Sequence, residues 1–409
     1  MFALIDANNF YVSCERVFQP ELRNKPTIVL SNNDGCAIAR SNEVKAIGVP
    51  MGAPLHKILK QVKRHDIQIR SANFTLYGDM SNRFMCVVES LSPNIEVYSV
   101  DESFVEIGNH PNLQQWATQL RNHVYQCTGL PCSVGLGRTK TLAKLANRIA
   151  KRNEGVYILQ DEKRILSETP ISDLWGVGRR LSKRMNEIGI YTADQFANTD
   201  SIFIRQYFSV VESRIQDELN GNSVLCLETQ HESRQQIIVS RSFGDEVTDI
   251  EQLHLAIRKF VEVGTRKLRR QKSQARLLSV AINTNPYSKV NKQYHRSIEI
   301  KLPCATSSTH HINQYAQRLV ERLYKPGFKF KRAGIMLCQL TDESRMQTDL
   351  FAEHENSAID MIKDQINSRF GDDTLMPAAL IAKNQKWKMK RNYLSRNFTT
   401  KWSDLPNVI

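Results

Sequence analysis

Residues 95–108 read IEVYSVDESFVEIG, with two adjacent acids, Asp101 and Glu102, in the middle of residues that are typical of strands. We predict two short strands joined by a bend, with the acidic pair at the bend. Such a pair is usually a solvated turn, and the alternative is a site that uses both charges. The neighbouring sequence has to decide between these interpretations.

The segments around this bend alternate between strand and helix patterns. Residues 2–6 predict a buried strand, residues 10–18 a helix, and residues 76–91 and 113–128 two longer helices on either side of the bend. The order strand, helix, strand, strand, helix, strand is typical of a ferredoxin-like α/β sandwich. We expect the acidic bend to join two central strands of its sheet.

Composition predicts a folded, multidomain protein with a polyanionic partner. The chain has 409 residues, 41% of them hydrophobic, so two to four domains are expected. The net charge of +14 favours nucleic acid or another anionic surface.

No stretch approaches the roughly 18 apolar residues of a membrane-spanning helix, so we expect a soluble, cytoplasmic protein. The 8 cysteines form no C-x-x-C pair, which argues against disulfides and structural zinc.

Asp6 makes the acidic pair a candidate metal site. It ends the first predicted strand, and the predicted fold brings that strand close to Asp101 and Glu102. Nucleotidyl transfer uses two divalent cations roughly 3.5 to 4 Å apart. Mg²⁺ prefers oxygen ligands and completes its shell with water and substrate phosphate, so three acids are enough. On spacing alone, a helix cap for Asp6 and a solvated turn for the pair remain open.

Two basic regions are candidates for nucleic-acid binding. The turn Gly176-Val177-Gly178 precedes a basic helix; glycines let a backbone approach phosphate, and a helix start offers free N–H groups. Residues 237–341 carry 19 Lys and Arg against 7 Asp and Glu, nearly all of the excess charge. A linking turn and a solvated face are the alternatives. Contacts to phosphate would give no sequence readout.

Several motifs give the chain a family resemblance. They are, in chain order, Asp6-ANNFY-Val12, Val29-LSNNDGCAIAR-Ser41, Ser99-VDE-Ser103, Val134-GLGRTKTLAKLAN-Arg148, Leu174-WGVG-Arg179 and Ser240-RSFG-Asp245. With these motifs the chain resembles the Y-family DNA polymerases from residue 2 to about residue 340. Within that family it most resembles the UmuC-type subunits of bacterial DNA polymerase V and their plasmid-borne relatives.

The resemblance implies a right-hand polymerase of the α/β (α+β) class. The expected domains are a ferredoxin-like palm (1–13 and 73–165), small fingers (14–72), a helical thumb with a helix-hairpin-helix (166–231), a basic α+β little finger (237–341) and a C-terminal tail (342–409). By this resemblance Asp6, Asp101 and Glu102 are the catalytic residues and bind two Mg²⁺ ions. The carbonyl of Ala7 is an expected further ligand.

The resemblance also implies which residues contact the substrates. Tyr11 matches the steric gate, an aromatic ring under the sugar that excludes a 2′-hydroxyl, while Phe10 is either part of the nucleotide site or a core residue. Lys45 and Lys151 match positions that hold the triphosphate. The expected DNA-binding residues are Gly176, Gly178, Arg179, Arg180, Lys183, Arg269, Arg270, Lys331 and Arg332.

The tail carries a short candidate docking peptide. Gln347, Leu350 and Phe351 match the Q-x-x-L-F peptide that binds the bacterial sliding clamp, and two large apolar residues in a polar segment indicate a partner. The remainder of the tail resembles the UmuC carboxy-terminal region, for which we expect partner binding.

The sequence thus predicts a template-directed, error-prone DNA polymerase for translesion synthesis in SOS mutagenesis, the catalytic subunit of a UmuC-like assembly. The expected partners are damaged primer-template DNA, dNTPs, a UmuD-type accessory dimer, a RecA filament and the sliding clamp, with no membrane. Two alternatives remain. The helix-hairpin-helix and the basic domain argue against a palm-fold nucleotidyl cyclase, and the three carboxylates argue against a non-catalytic DNA-binding module that recruits partners to damage.

Overall fold

The computed structural model of the chain describes residues 1–108, 110–229, 233–345, 357–381 and 385–405. The chain forms two compact units. The first comprises Met1–Ser31, Gly35–His231 and Asn392–Ile409, and the second comprises Asn32–Asp34 and Glu232–Arg391. No helix within the described ranges is long and apolar enough to cross a membrane.

The first unit mixes strands and helices. Its strands are β1 (Phe2–Ala7), β2 (Thr27–Leu30), β3 (Ala37–Arg40), β4 (Gln68–Ser71), β5 (Ile95–Val97), β6 (Glu102–Glu106), β7 (Cys132–Gly137) and β8 (Val156–Ile158). Its helices are α1 (Phe10–Phe18), α2 (Asn42–Ala46), α3 (Leu55–Arg64), α4 (Phe74–Leu91), α5 (Leu113–Thr128), α6 (Lys140–Ala150), α7 (Glu162–Glu168), α8 (Arg179–Glu187), α9 (Ala193–Ala197), α10 (Ser201–Tyr207) and α11 (Val210–Leu219). The predicted α/β class is confirmed.

A five-stranded sheet with the order β5-β6-β1-β7-β8 forms the centre of this unit. Strand β1 pairs antiparallel with both β6 and β7, and every one of its residues is buried. Ala3 and Ile5 pack in the same core as α4 and α5, whereas Leu4 belongs to a second cluster with Ala143 of α6. Burial on both faces explains why the sequence of β1 is an unbroken apolar run up to Asp6.

The prediction that the acidic bend joins two central strands is wrong. Strand β5 is at the edge of the sheet and β6 is second, because β1 pairs with the inner side of β6. Strand order depends on pairing between distant segments, which local sequence patterns do not encode. The error does not change the end of the sheet at which the bend lies.

Glycines allow helix α6 to lie directly on β7. A Cβ atom at Gly135 would be 2.0 Å from the backbone nitrogen of Asn147, and one at Gly137 would be 2.5 Å from that of Ala143. Only a residue without a side chain fits at this distance. The close contact fixes the position of α6, which carries Lys144 and is followed directly by Lys151, two lysines of the candidate site.

Two smaller cores complete the first unit. Strands β2, β3 and β4 form a three-stranded sheet that packs with α2 and α3, and the helices α7 to α11 share another core. The segment from residue 392 onward also belongs to this unit: Leu394 forms an isolated parallel bridge with Ser71 of β4, and Phe398 stacks on Phe18 of α1.

The second unit is a four-stranded antiparallel sheet with helices packed on one face. It contains β9 (Ile237–Val247), α12 (Ile250–Arg270), β10 (Ser273–Thr284), β11 (His295–Thr306), α13 (Thr309–Leu323), β12 (Phe330–Asp342) and α14 (Ser357–Phe370). The strand order is β11-β10-β12-β9, and α12 and α13 share a core with the alternate residues of these strands. Helix α14 packs on α12 through ion pairs, so the tail that the sequence analysis treated as one segment is divided between the two units.

Candidate active site

Strand pairing places two of the three predicted carboxylates side by side. Asp6 on β1 lies directly opposite Glu102 on β6, and the amide of Ala7 donates to the carbonyl of Asp101 at 2.9 Å. Asp6 is 4% exposed, and the two carboxyl groups share a hydrogen bond. The buried apolar residues that precede Asp6 in β1 thus fix its position in the sheet.

The third carboxylate, Asp101, is held by its own bend. The hydroxyl of Ser99 donates to Asp101 Oδ1 at 2.6 Å, and the same hydroxyl accepts from the amide of Glu102 at 3.1 Å. Burial raises the pKa of Tyr11, and the charge of Asp101 adds to the rise, so Asp101 lies near the first turn of α1. Within the described ranges no three His, Cys, Asp or Glu side chains are grouped to hold a metal as they stand.

Two lysines, Lys144 of α6 and Lys151 directly after the helix, form ion pairs with the paired carboxylates. Lys151 Nζ lies 2.5 Å from Asp6 Oδ2, and Lys144 Nζ lies 3.0 Å from Glu102 Oε2. Lys144 also sits over the ring of Tyr98, 4.2 Å from its centroid. The family resemblance indicates Lys151 and not Lys144, although their spacing of seven residues, about two helical turns, puts both on one face.

The paired carboxylates fit a divalent cation by their chemistry. Burial raises the pKa of Asp6 to about 7, against the opposing charge of Lys151, and the hydrogen bond with Glu102 adds to the rise. Burial favours a higher pKa for Glu102. The hydrogen bond from Asp6 and the positive charge of Lys144 outweigh this effect and hold the pKa of Glu102 below its usual value. Two oxygen ligands that share a proton bind a metal cation in its place. The predicted participation of Asp101 and of the Ala7 carbonyl stays a prediction.

We expect the metal-free protein to lose stability between pH 5 and pH 8 through Asp6. An acid with a raised folded-state pKa stabilises the fold below its unfolded pKa, and that contribution is lost as pH rises through about 7. The expected loss is on the order of 2 kcal/mol in the free energy of unfolding. Urea unfolding in EDTA at several pH values measures it, and Mg²⁺ should stabilise more at pH 8 than at pH 6.

The matched control for this titration is Asp6→Asn, which has the same shape and no charge to lose. Its unfolding in EDTA should depend less on pH than that of the wild type, and Mg²⁺ should stabilise it less. Identical pH profiles for the two proteins would show that Asp6 does not titrate in this range.

A further lysine approaches Asp6 from α2. Lys45 Nζ donates to Asn9 Oδ1 at 2.6 Å, and Asn9 has the left-handed φ of 49°. Burial lowers the pKa of Lys45, and the charges of Arg40 and Lys151 lower it further. The charge of Asp6 acts in the opposite direction and raises this pKa. The structure therefore gathers Lys45 and Lys151 near Asp6, as a site for a polyanionic ligand requires.

The two aromatic residues after Asn9 differ in their surroundings. Tyr11 is half-buried and stacks on Tyr77 of α4, with 4.5 Å between ring centroids and an angle of 17° between planes. Phe10 is 3% exposed and belongs to the main core. The enclosed ring of Phe10 has no free face for stacking, and its place among the nucleotide-binding residues stays a prediction.

The predicted hairpin of the thumb has the expected open turn. Gly176 has a φ of 86°, and Gly178 is the residue before α8, whose first turn has no side-chain cap. The two glycines and the basic residues that follow are exposed: Arg179, Arg180 and Lys183. A phosphate can approach both the N–H groups and the side chains.

The basic residues of the second unit lie on different faces of the sheet. Arg332 is exposed on the face that α12 and α13 leave uncovered, and it donates to Ser240 Oγ at 2.9 Å. Lys331 instead donates to the carbonyl of Gly244 at 3.0 Å, and burial lowers its pKa. Arg332 is therefore better placed for a partner than Lys331.

Arg269 is enclosed by ion pairs with α14. Its guanidinium lies 2.7 Å from Asp364 and 3.4 Å from Asp360, and its side chain is 10% exposed. Arg270 is exposed on the helical side of the sheet. Acids more distant in sequence already occupy the donors of Arg269, and its role in DNA binding stays a prediction. The predicted clamp peptide, Gln347, Leu350 and Phe351, lies outside the described residues.

Family models match most of the chain. The impB/mucB/samB family matches residues 5–148, the IMS family HHH motif residues 160–190, and the impB/mucB/samB family C-terminal domain residues 234–350. A domain of unknown function matches residues 358–408.

Relatives of full length and a solved structure also resemble the chain. Protein ImpB of Salmonella typhimurium is 39% identical over 421 residues, covering 99% of both chains. Protein UmuC of Salmonella typhimurium (strain LT2) is 37% identical over 422 residues, covering 100% of both. A Y-family DNA polymerase chimera of Dbh and Dpo4 superimposes with a TM-score of 0.67 at 18% identity, covering 84% of this chain and 100% of that one.

Proposed function

The chain belongs to the impB/mucB/samB family of Y-family DNA polymerases, and from that membership we propose that it copies damaged templates as the catalytic subunit of a UmuC-type translesion polymerase. The family and the right-hand polymerase fold predicted from the sequence are confirmed by these relatives and by the shared fold. The observation that carries the proposed reaction is the pairing of Asp6 with Glu102 beside Lys151.

The carboxylates have the roles of metal ligands in this proposal. Asp6, Glu102 and Asp101 would hold two Mg²⁺ ions, which lower the pKa of the primer 3′-hydroxyl and neutralise the triphosphate when bound. Lys45 and Lys151 bind the triphosphate, for which each exchanges its present partner, Asn9 or Asp6. Phosphate oxygens are stronger acceptors for an ammonium group than the Asn9 amide.

The DNA contacts of the proposal lie in two places. In the first unit they are the glycines and basic residues of the thumb hairpin. In the second unit, Arg332 faces the backbone of the duplex from the uncovered face of the sheet, with Lys331 beside it. Arg269 is left out because of its ion pairs. Such contacts bind phosphate whatever the sequence, as a polymerase requires.

The proposed partners and location follow from the resemblance to UmuC. They are a UmuD-type accessory dimer, a RecA filament and the sliding clamp, the last bound through Gln347, Leu350 and Phe351, in the cytoplasm. The clamp peptide has an independent physical basis in its two large apolar residues within a polar segment.

Primer extension tests the proposed function. The full chain, with Mg²⁺ and a UmuD-type dimer and RecA filament, should add nucleotides opposite and beyond an abasic site in the template. Formation of a cyclic nucleotide from free triphosphate would favour the cyclase. Tight DNA binding without nucleotide addition, on damaged and undamaged templates alike, would favour the recruitment module.

Replacing Tyr11 by alanine should weaken selection against ribonucleotides. A ring below the sugar excludes a 2′-hydroxyl by overlap, and relief of such overlap is worth roughly 1 to 3 kcal/mol, or about 5- to 160-fold. The ratio of kcat/KM for dNTP to that for rNTP measures the effect. Tyr125→Ala, which removes an exposed tyrosine from α5, is the control and should leave the ratio unchanged. An unchanged ratio in Tyr11→Ala would place the gate elsewhere.

A further inference from the structure

The ring of Tyr11 rests on a second tyrosine that is itself fixed. Tyr77 of α4 is 2% exposed and stacks against Tyr11. Its hydroxyl donates to Glu15 Oε1 at 2.6 Å. Glu15 lies one turn after Tyr11 on α1, so both ends of the stacked pair are tied to one helix.

Glu15 is a fully buried carboxylate, 0% exposed. Its second oxygen accepts from Gln19 Nε2 at 2.9 Å, and Gln19 in turn accepts from the guanidinium of Arg70, at 2.6 Å from Nη2. A buried charge of this kind costs free energy unless its hydrogen bonds are complete. The position of Glu15 is therefore sensitive to every donor around it.

One of these donors comes from the end of the chain. Ser395 Oγ donates to Glu15 Oε1 at 3.0 Å, on the same oxygen that Tyr77 uses. Asn73, which caps α4, donates to Ser395 Oγ at 3.2 Å and thereby fixes the orientation of the hydroxyl. Helix α4 also carries Tyr77. Ser395 therefore contacts both the cap of the helix that supports Tyr11 and Glu15, the acid that anchors Tyr77.

Backbone pairing holds this segment in place. The amide of Ser71 donates to the carbonyl of Tyr393 at 2.9 Å, and the amide of Tyr393 donates to Ser71 Oγ at 3.0 Å. Three residues after Ser395, Phe398 stacks on Phe18 with 5.1 Å between centroids. Ser395 thus lies between two anchored residues, within the region that matches a domain of unknown function.

We propose that Tyr77, Glu15 and Ser395 are positioning residues that hold the ring of Tyr11 at the height required for sugar selection. The C-terminal segment is then part of the nucleotide site, in addition to any partner that the rest of the tail binds. This inference rests on the proposed role of Tyr11 as the gate.

The test is sugar selection by the full chain under the primer-extension conditions above. Ser395→Ala and Tyr77→Phe each remove one hydroxyl and keep the shape of the side chain. Each should lower the ratio of kcat/KM for dNTP to that for rNTP by roughly three- to tenfold, the effect of one hydrogen bond. Ser395→Thr keeps the hydroxyl and should restore the ratio. Ser403→Ala, an exposed serine in the same segment, is the matched control.

The background of Tyr11→Ala separates positioning from general damage. If Ser395 acts through the ring of Tyr11, Ser395→Ala should change the ratio no further once that ring is gone. An equal effect in both backgrounds would overturn the inference, as would an unchanged ratio in both Ser395→Ala and Tyr77→Phe while Tyr11→Ala alone alters it. If Tyr11→Ala has no effect, it is the proposed gate that fails. Thermal unfolding identifies a variant that does not fold. If the buried substitution Tyr77→Phe fails in this way, the ratio measured for Ser395→Ala, at a partly exposed site, tests the inference.

Discussion

Replacing both Asp101 and Glu102 by alanine is expected to slow nucleotide addition by at least roughly 10³-fold, because loss of even one group that stabilises transition-state charge costs about that much. The substitution leaves Asp6 as the sole carboxylate of the three and removes the partner with which it shares a proton. It also releases Lys144 from its ion pair. Single-turnover primer extension at saturating dNTP measures the rate of addition apart from product release.

The control is Glu106→Ala, which removes an exposed carboxylate at the other end of the same strand. Its rate should stay within about twofold of the wild type, as expected for a surface change. DNA affinity of the double variant should also be preserved, since neither acid contacts DNA in the proposal. A double variant that adds nucleotides at the normal rate would exclude Asp101 and Glu102 from the reaction.

Replacing Gly135 by alanine should lower the free energy of unfolding by at least about 3 kcal/mol, as overlap with rigid backbone does. The added Cβ would be 2.0 Å from the nitrogen and 2.4 Å from the Cα of Asn147, so α6 has to move off the sheet. That shift would carry Lys144 and Lys151 away from their carboxylates, and the folded fraction should also add nucleotides more slowly. Urea unfolding measures the first effect, and primer extension below the transition measures the second.

Gly78→Ala is the matched control. Gly78 is an exposed residue inside α4, and an added Cβ there meets nothing within 4 Å. The substitution should be neutral or stabilise by up to about 1 kcal/mol, because alanine is the better helix former. Equal stability of the Gly135→Ala variant and the wild type would mean that α6 does not need its close approach.

The candidate acids follow from local signals, whereas their grouping into one site follows from the predicted fold and the family resemblance. The apolar run before Asp6 and the bend at Asp101 and Glu102 are each contained in a few neighbouring residues, and the strand order that brings them together follows a common fold. The position of β5 at the edge of the sheet could not be predicted from the sequence, because it depends on which distant strand pairs with β6. Lys144 was accessible through its helical spacing from Lys151 and was overlooked.

Burial and charge pairing are features of the structure that local sequence patterns do not show. Phe10 and Tyr11 are adjacent aromatic residues in the sequence, and only the packing of α1 against the core shows that Phe10 has no free surface. The basic run around Arg269 indicates a charged face without naming its partner. The partner for Arg269 is an acid 95 residues away on α14, and no local pattern reports such a separation.

The bond between Glu15 and Ser395 spans 380 positions of the chain. During translation α1 is synthesised long before residue 395, and until that residue is added its buried carboxylate lacks one hydrogen-bond donor. A product that ends before residue 395, through stalling or proteolysis, keeps every carboxylate of the catalytic site and lacks this donor. On this proposal the nucleotide site requires synthesis to proceed past residue 395, and chains that end before it should be distinguishable by their sugar selectivity.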